Sequence, residues 1–240
     1  MRTPVVMSWS GGKDSAMALQ ILLQAREYNV IGLMTSVSEE YQRISHHGVR
    51  ETLLDEQAEA IGIPLLKVYL PSGSSGGCTN DVYEAIMNRV MVGYKADAVQ
   101  TVAFGDLFLE DLRAWREANL AKAGMLGLFP IWKRNTTELA HEVIRLGYKA
   151  YLSCVEASVG SGFVGRLYDA KFLSELPSAI DPCGENGEFH SFVFDGPIFS
   201  RPVDVRVGEV VTRDGRFYAD LLSKESQPSE KSVGEQIPPI

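Results

Sequence analysis

The sequence predicts an α/β fold, in which a parallel β-sheet is covered by helices on both faces and is followed by a smaller α+β C-terminal domain. Strand-like and helix-like patterns alternate through the first half of the chain, and a glycine-rich turn joins the first predicted strand to the first predicted helix. The alternation stops near residue 130. The 240 residues are enough to bury the core of one large domain or of two modest ones.

The elements of the first half are short apolar runs with longer amphipathic segments between them. The predicted strands cover 4–9, 30–36, 64–69 and 98–103, and the predicted helices cover 14–27, 47–61, 80–94 and 107–123. Phe108, Leu112 and Trp115 repeat at the spacing of one helix face, which supports the last helix. Gly62 and Gly124 follow two of the helices at positions where a glycine C-cap is expected. Residues 1–129 are therefore predicted to form the first domain.

A second, smaller domain is predicted for residues 130–222. Asn135 and Glu138 have the spacing of a capping box, and Gly147 follows the helix that they would begin. Further along, the sequence predicts a strand at 150–155, a small-residue loop at 158–162 and a short helix that contains Phe172, Leu173 and Leu176.

The end of this domain is predicted to be a β-hairpin. Two alternating segments, 203–207 and 216–220, flank the turn residues Asp214 and Gly215. The residues that follow, 223–240, are rich in Ser, Glu, Gln and Pro, and we expect this tail to be disordered.

The turn after the first predicted strand carries the strongest chemical signal. It reads Ser10-Gly11-Gly12-Lys13-Asp14-Ser15. Two glycines allow positive φ angles and a close approach of backbone N–H groups to an anion, and the N-terminus of the following helix attracts negative charge. Lys13 adds a positive charge, and the two serines add hydroxyl groups. A Walker A loop is excluded, because Asp14 follows the lysine where that motif requires Ser or Thr. The turn predicts a phosphate site.

Other candidate site residues follow the remaining strands, because ligands of open α/β sheets bind beyond the carboxyl ends of the strands. These segments are 36–48, 71–79 and Gly105-Asp106. The glycine- and serine-rich stretch at 71–77 is either a plain surface connection or a mobile lid.

A second cluster of chemical groups lies at 181–190, which contains three acids, a cysteine, a histidine and two glycines. Glu185 and Glu188 are three residues apart, and each follows a glycine within two positions. Such acids can converge on a ligand, on a Mg²⁺ held by phosphate oxygens, or on an amine nucleophile. A turn with solvated acids is the alternative.

Composition limits the partners and the location. The chain has 31 acidic and 23 basic residues and a net charge of −8, so an extended nucleic-acid footprint is not expected. No apolar run is long enough to span a bilayer and no signal peptide pattern begins the chain, so we expect a cytoplasmic protein without a membrane partner. The three cysteines form no CxxC pair, which disfavours a disulfide framework or a zinc site. Nothing in the sequence defines the oligomeric state, and a homo-oligomer is one option.

Taken together, the two clusters resemble the diphthine–ammonia ligase family of the ATP pyrophosphatase (PP-loop) superfamily. The resemblance covers the chain to about residue 205. It is carried by segments 10–15, 38–43, 47–50, 103–106, 110–113, 130–132, 183–190 and 195–197. This chain departs from the family pattern in one segment. The family pattern Glu-Gly-Gly-Glu-Tyr-Glu-Thr is replaced here by Glu-Asn-Gly-Glu-Phe-His-Ser at 185–191.

The resemblance implies a HUP-type ATP-binding domain over 1–129 and a family-specific substrate domain over 130–222. It also implies an enzyme that uses ATP and Mg²⁺ to adenylate a substrate carboxylate, releases pyrophosphate, and forms an amide from ammonia. The acceptor would be carried on a protein such as a translation factor, or would be a different carboxylate, given the altered motif.

The same resemblance, together with the residue chemistry, assigns expected roles. The ATP site would contain Ser10, Gly11, Gly12, Lys13, Asp14, Ser15, Thr35, Ser36, Gly105 and Asp106, with adenine near 34–37 and the metal on Asp14 or Asp106. The substrate site would contain Gly184, Glu185, Gly187, Glu188, His190, Arg43 and Arg50. Lys13, Asp14, Glu185 and Glu188 would be the catalytic residues.

Two other functions fit parts of the sequence. A tRNA-thiolating PP-loop enzyme would need a persulfide-bearing cysteine, for which Cys78 and Cys183 are the candidates, and a basic RNA surface. A nucleotide-binding sensor without turnover would need only the phosphate loop.

Overall fold

The computed structural model describes residues 2–44, 47–71 and 78–224. Residues 45–46 of the candidate segment 36–48, the predicted loop at 72–77 and the predicted tail at 225–240 lie outside the described residues. None of the helices in the described ranges has the length and apolar character that crossing a membrane requires.

The first half of the chain forms one sheet with four helices. Its strands are β1 (Thr3–Ser8), β2 (Tyr28–Ser38), β3 (Arg43–Ile44), β4 (Leu65–Leu70), β5 (Thr101–Ala103) and β6 (Leu126–Leu128). Its helices are α1 (Lys13–Gln24), α2 (Glu51–Ile61), α3 (Asn80–Ala96) and α4 (Glu110–Lys122). Five strands run parallel in the order β4-β2-β1-β5-β6, and β3 pairs antiparallel with the end of β2. The predicted parallel sheet is confirmed.

Helices cover both faces of this sheet, as the alternation of side chains along β1 shows. Val5 and Met7 belong to a buried cluster with residues of α1 and α2. Val6, between them, belongs to a second cluster with Met91 of α3 and Leu120 of α4. Successive residues of a strand point to opposite faces, so one pair of helices lies on each side.

The strand order places a crevice at the carboxyl end of β1. The chain moves from β1 outwards to β2 and β4 on one side, and then returns to β5 and β6 on the other side. Such a reversal of direction leaves an opening between the first loops on each side, where ligands of doubly wound sheets bind. The phosphate loop at 10–15 and the β5–α4 connection both begin at this opening.

Some boundaries differ from the prediction. Helix α2 begins at Glu51 and not at 47, because Arg50 has an extended backbone with φ −62° and ψ 137°. The strands β3 and β6 contain only two and three residues, which is too short for an alternating pattern to be visible in the sequence. The expected C-cap glycines do take the left-handed conformation, with φ 79° at Gly62 and 66° at Gly124.

The rest of the described chain forms an α+β unit around an antiparallel sheet. Its elements are α5 (Thr136–Arg145), β7 (Lys149–Glu156), a single 3₁₀ turn (Ser161–Phe163), α6 (Ala170–Glu175), β8 (Phe189–Asp195), β9 (Val205–Arg213) and β10 (Arg216–Ser223). The strand order is β8-β7-β10-β9, with every pair antiparallel. The predicted fold class is therefore confirmed for both parts.

Local signals in this part are confirmed with one exception, although β9 spans Val205–Arg213 where a strand at 203–207 was predicted, and α6 ends before Leu176. The Asn135 Oδ1 atom accepts the backbone N–H of Glu138 at 3.0 Å, which caps α5 as expected. Asp214 and Gly215 have φ 45° and 74°, the positive values that a tight hairpin turn needs, and join β9 to β10. The exception is β8, because the sequence analysis read its first residues as part of an acidic loop.

Candidate active site

The predicted phosphate loop connects β1 to α1 and is tightly packed. The hydroxyl of Ser15 donates to the carbonyl of Gly12 at 2.9 Å, and the hydroxyls of Ser10 and Ser15 lie 3.2 Å apart. Gly11 has φ +76°, and a Cβ atom there would lie 2.8 Å from the side chain of Gln57. A Cβ on Gly105, at the end of β5, would lie 2.8 Å from the Ser15 nitrogen. Only glycine fits these two close approaches.

Gln57 of α2 is fully buried and forms hydrogen bonds with this loop. Its Nε2 atom donates to the carbonyl of Gly11 at 3.0 Å and to that of Val193 at 2.5 Å. Its Oε1 atom accepts from the Trp9 indole at 2.9 Å. No motif in the sequence indicated Gln57, although it lies beside Leu54 and Ala58 on the apolar face of α2, where a lone amide is unusual.

The edge strand β8 holds the same loop from the second sheet. The backbone N–H of Val193 donates to the Gly11 carbonyl at 2.9 Å. The Ser191 hydroxyl accepts the backbone N–H of Lys13 at 3.1 Å. The two parts of the chain therefore meet at the phosphate loop through one main-chain hydrogen bond and one hydrogen bond from the main chain to a side chain.

The side chain of Lys13 points into the contact between the two sheets and is only 2% exposed. Its ammonium group donates to Asp14 Oδ2 at 2.8 Å and to the backbone carbonyl of Cys183. The rings of Tyr168 and Phe189 lie 5.5 and 5.4 Å from the nitrogen, within the range of cation–π attraction. Lys13 thus joins the phosphate loop to the segment that contains the second predicted cluster.

Asp14 and Asp106, the two predicted metal ligands, differ in their surroundings. Asp106 is paired in a bidentate manner with Arg116, at 2.7 and 3.2 Å. The Oδ1 atom of Asp14 is buried and has no hydrogen-bond partner among the described residues. Burial raises the pKa of Asp14, and Lys13 opposes this shift only in part. An orphaned carboxylate oxygen beside a phosphate loop fits a hard cation such as Mg²⁺, whereas the paired Asp106 does not.

Glu185 lines the same cavity as the phosphate loop and contacts the β5–α4 connection. Its Oε1 atom accepts the backbone N–H groups of Leu107 at 2.7 Å and Phe108 at 3.3 Å, both in the β5–α4 connection. Burial raises the pKa of Glu185 to about 7, with the two N–H groups acting against this shift and the charge of Asp14 adding to it. The structure therefore provides a carboxyl group that titrates near neutral pH.

Glu188 has a different environment from Glu185, although both were predicted to be catalytic. It is buried, and its oxygens accept from the backbone N–H of Asp181 at 3.2 Å and from both nitrogens of Asn186 at 3.0 Å. These contacts close the loop that presents Glu185. Gly184 has φ +69°, and a Cβ there would lie 2.8 Å from the Phe189 carbonyl, so this loop also requires a glycine.

Arg43 and Arg50, predicted to bind substrate, both contact Asp220 of β10. Arg43 Nη2 lies 3.0 Å from Oδ1, and Arg50 donates from Nε at 3.0 Å and from Nη2 at 2.9 Å. Burial raises the pKa of Asp220, but the hydrogen bonds from Arg50 and the charge of Arg43 outweigh burial and lower it. The ion pairs form a second connection between the two sheets.

One cavity of about 950 Å³ contains most of the predicted site. Its size falls within the range of ligand sites, about 300–1,000 Å³. The predicted residues that line it are Ser10, Gly12, Lys13, Asp14, Ser15, Thr35, Ser36, Arg43, Gly105, Asp106, Gly184, Glu185, Gly187 and His190. The other predicted site residues, Gly11, Arg50 and Glu188, do not line this cavity. Residues of both sheets therefore surround a single space.

The end of the cavity at β2 is more apolar than the loop end. Met34 and Phe104 line both the main cavity and a side pocket of about 70 Å³ between α3 and α4. The Thr35 Oγ1 atom is buried there and has no hydrogen-bond partner among the described residues. A flat, partly apolar group with hydrogen-bonding edges, such as a nucleobase, fits this end.

The cysteines offer little nucleophilic chemistry. Cys154 and Cys183 are buried, and burial raises the pKa of both thiols. Cys78 lines the cavity, but burial raises its pKa as well. In the described ranges, no group of three His, Cys, Asp or Glu side chains could hold a metal ion by itself. These environments disfavour a persulfide carrier.

Comparison with known families decides the assignment. Residues 1–126 match the diphthamide synthase N-terminal domain, and residues 135–221 match the diphthamide synthase C-terminal domain. The chain belongs to the diphthamide synthase family. This confirms the family predicted from the sequence motifs, and the two matches cover both sheets of the structure.

Curated relatives in this family are distant but extend over most of the chain. The diphthine–ammonia ligase of Bos taurus is 28% identical over 239 residues, and the alignment covers 88% of this chain and 86% of the relative. The Homo sapiens diphthine–ammonia ligase is 27% identical with the same coverage. Among solved structures, the U34-tRNA thiolase NcsA of Methanococcus maripaludis is 20% identical, covers 61% of this chain and 59% of its own, and gives a TM-score of 0.35. At this score the likeness supports no conclusion about function.

The raised pKa of Glu185 predicts a pH-dependent stability difference for Glu185→Gln. Because the folded-state pKa of about 7 exceeds the ordinary 4.5, the unfolded state binds fewer protons between these values. The free energy of unfolding of the unmodified protein therefore falls as pH rises through this interval. Glutamine stays neutral, so the variant should gain about 1–3 kcal/mol relative to the unmodified protein between pH 5 and pH 8.

Urea unfolding at the two pH values measures this difference. Glu110→Gln is the matched control, since Glu110 is exposed on α4 and should show no such gain. An equal effect of Glu185→Gln at pH 5 and pH 8 would contradict the pKa assigned to this residue.

Proposed function

We propose that this chain is an ATP-dependent amide-forming ligase that activates the carboxylate of diphthine on a protein and joins it to ammonia. The observation that carries the proposal is that the phosphate loop and Glu185 line the same cavity. Membership of the diphthamide synthase family and the names of its curated relatives support the acceptor and the nitrogen donor. The acceptor protein would be a translation factor.

ATP would lie across the carboxyl ends of the strands. Its β and γ phosphates would rest on the N–H groups of residues 11–15, at the positive end of α1, with the side chains of Ser10 and Ser15 beside them. Adenine would occupy the β2 end, where the buried Thr35 hydroxyl and the backbone of Ser36 can form hydrogen bonds with its edge. The α phosphate would then face the centre of the cavity.

Mg²⁺ would bind through Asp14, whose Oδ1 atom has no partner among the described residues. When bound, the ion neutralises phosphate charge and favours departure of pyrophosphate. Asp106 would act indirectly, by holding Arg116 at the cavity wall.

In the first step, an oxygen of the substrate carboxylate attacks the α phosphorus of ATP. A bond forms between that oxygen and phosphorus, and the bond from phosphorus to the β-phosphate bridge oxygen breaks. Pyrophosphate leaves with the electron pair and stays on residues 11–15. The helix N-terminus and the nearby charge of Lys13 stabilise the negative charge that develops.

In the second step, ammonia attacks the carbonyl carbon of the acyl-adenylate, and AMP leaves. The attacking nitrogen must lose a proton, and Glu185 can accept it because its pKa is about 7. Glu188 supports this step by closing the loop around Glu185, and Gly184 and Gly187 give the loop its tight path. Arg43 lines the cavity on the acceptor side, and Arg50, which shares Asp220 with it, holds it there.

Product analysis tests the function. With ATP, ammonium and a protein that bears diphthine, the reaction should release AMP and pyrophosphate in equal amounts and form one amide for each ATP. Glu185→Gln should lower amide formation about 10²–10⁴-fold, because the proton acceptor is lost, while adenylation continues. The exposed Glu110→Gln is the control and should behave like the unmodified protein.

Two outcomes would contradict the proposal. Release of ADP and orthophosphate would show that ATP is cleaved between the β and γ phosphates and not between the α and β phosphates. ATP binding without any product would identify a nucleotide sensor instead of a ligase. Mass spectrometry of the acceptor and chromatography of the nucleotides separate these results.

Metal removal tests the role of Asp14. A chelator should abolish pyrophosphate release, and added Mg²⁺ should restore it. Asp14→Asn removes one charge from the site, so half-maximal activity should require at least about tenfold more Mg²⁺. The same substitution in the salt-bridged residue, Asp106→Asn, should leave the Mg²⁺ requirement within about twofold. A larger shift for Asp106→Asn would assign the metal to that residue instead.

A further inference from the structure

Two histidines from different parts of the chain meet at the phosphate loop. His47 follows β3 in the first half, and His190 lies on β8 of the second sheet. Their ring centroids are 4.4 Å apart and the ring planes are inclined by 34°. Both side chains are half-buried and both line the cavity of about 950 Å³.

The histidines lie at the loop end of the cavity. A Cβ atom on Gly12 would be 3.4 Å from His47 Cε1 and 3.1 Å from the carbonyl of Ser191, the residue after His190. Gly12 is the N-cap of α1, so its surroundings are where the helix attracts an anion. Hence the two imidazoles border the place where the outer phosphates would rest, away from the nucleobase end at β2.

His47 is held in position by its neighbours. Gly48 donates its N–H to the Ile44 carbonyl at 3.1 Å, and its carbonyl accepts from Arg43 Nη1 at 2.8 Å. Arg43 is itself fixed by Asp220 at 3.0 Å. His190 is fixed by β8, where it pairs with Cys154 of β7. The contacts of Gly48 and Arg43 therefore position His47, and the pairing of β8 with β7 positions His190, so that the two rings meet at the loop end of the cavity.

The chemistry of the pair suits a polyphosphate. Each imidazole donates at least one N–H, and an imidazolium donates two. Two imidazoles whose ring centroids are 4.4 Å apart can both direct N–H groups at one polyanion, which then receives more hydrogen bonds than a single histidine can give. The terminal phosphates of ATP, and the pyrophosphate that leaves, carry such a charge.

We propose that His47 and His190 together bind the two outer phosphates of ATP and hold pyrophosphate after cleavage. The inference rests on the proposed function in its placement of ATP, and it adds a pyrophosphate clamp made jointly by both parts of the chain. Because one histidine comes from each part, nucleotide binding tightens the contact between them.

Direct binding measurements test the clamp without requiring turnover. Calorimetry with Mg²⁺-pyrophosphate and, separately, with AMP gives the two dissociation constants for each protein. His47→Ala and His190→Ala should each weaken pyrophosphate binding about tenfold, the loss of one charge-assisted hydrogen bond, and leave AMP binding within about twofold. His141→Ala is the matched control, since His141 is exposed on α5.

The outcomes are distinct. Unchanged pyrophosphate binding in both variants would overturn the proposal, and so would an equal loss of pyrophosphate and AMP binding, which would indicate general damage to the cavity. If an alanine variant unfolds, His47→Asn and His190→Asn replace it in the same comparison. If the unmodified protein binds pyrophosphate but forms no amide, the proposed function fails while the clamp is still tested.

Discussion

The carbonyl of Gly11 is the point on which the site depends. It accepts hydrogen bonds from the buried amide of Gln57 and from the backbone of Val193 in β8. Through this one atom, the phosphate loop, helix α2 and the second sheet take fixed positions relative to each other. A shift of β8 would leave the buried N–H and carbonyl of Val193 without these partners, at a cost of about 1–3 kcal/mol for each group. The loop and the acceptor segment therefore share one rigid frame.

This frame concentrates charge in a poorly solvated space. Lys13 bridges Asp14 and the backbone of Cys183, so its cation offsets part of the local negative charge. Burial raises the pKa of Glu185, and the nearby charge of Asp14 adds to this shift. As a result, Asp14 has an oxygen suited to a cation, with no hydrogen-bond partner in the part of the chain that the structure describes, and Glu185 has a pKa suited to proton transfer. The same burial that joins the two sheets thus tunes the chemistry.

The sequence predicted what short-range patterns determine. Residues 10–15 and the Asp214-Gly215 hairpin depend on local backbone rules, and the family motifs added the reaction class. The sequence did not predict Gln57, Asp220 or the stacking of His47 on His190, because these contacts join residues more than a hundred positions apart. It also missed β8, whose first residues are chemically a loop but pair with β7. Long-range polar contacts leave no periodic pattern in a sequence, so only the packing of the two sheets reveals them.

The most direct test of the account is a crystal structure with Mg²⁺ and an ATP analogue that resists cleavage between the α and β phosphates. The account predicts that the β and γ phosphates contact the N–H groups of residues 11–15, and that the α phosphate faces Glu185 across the cavity. A nucleotide bound elsewhere, or one whose triphosphate points away from this loop, would contradict it.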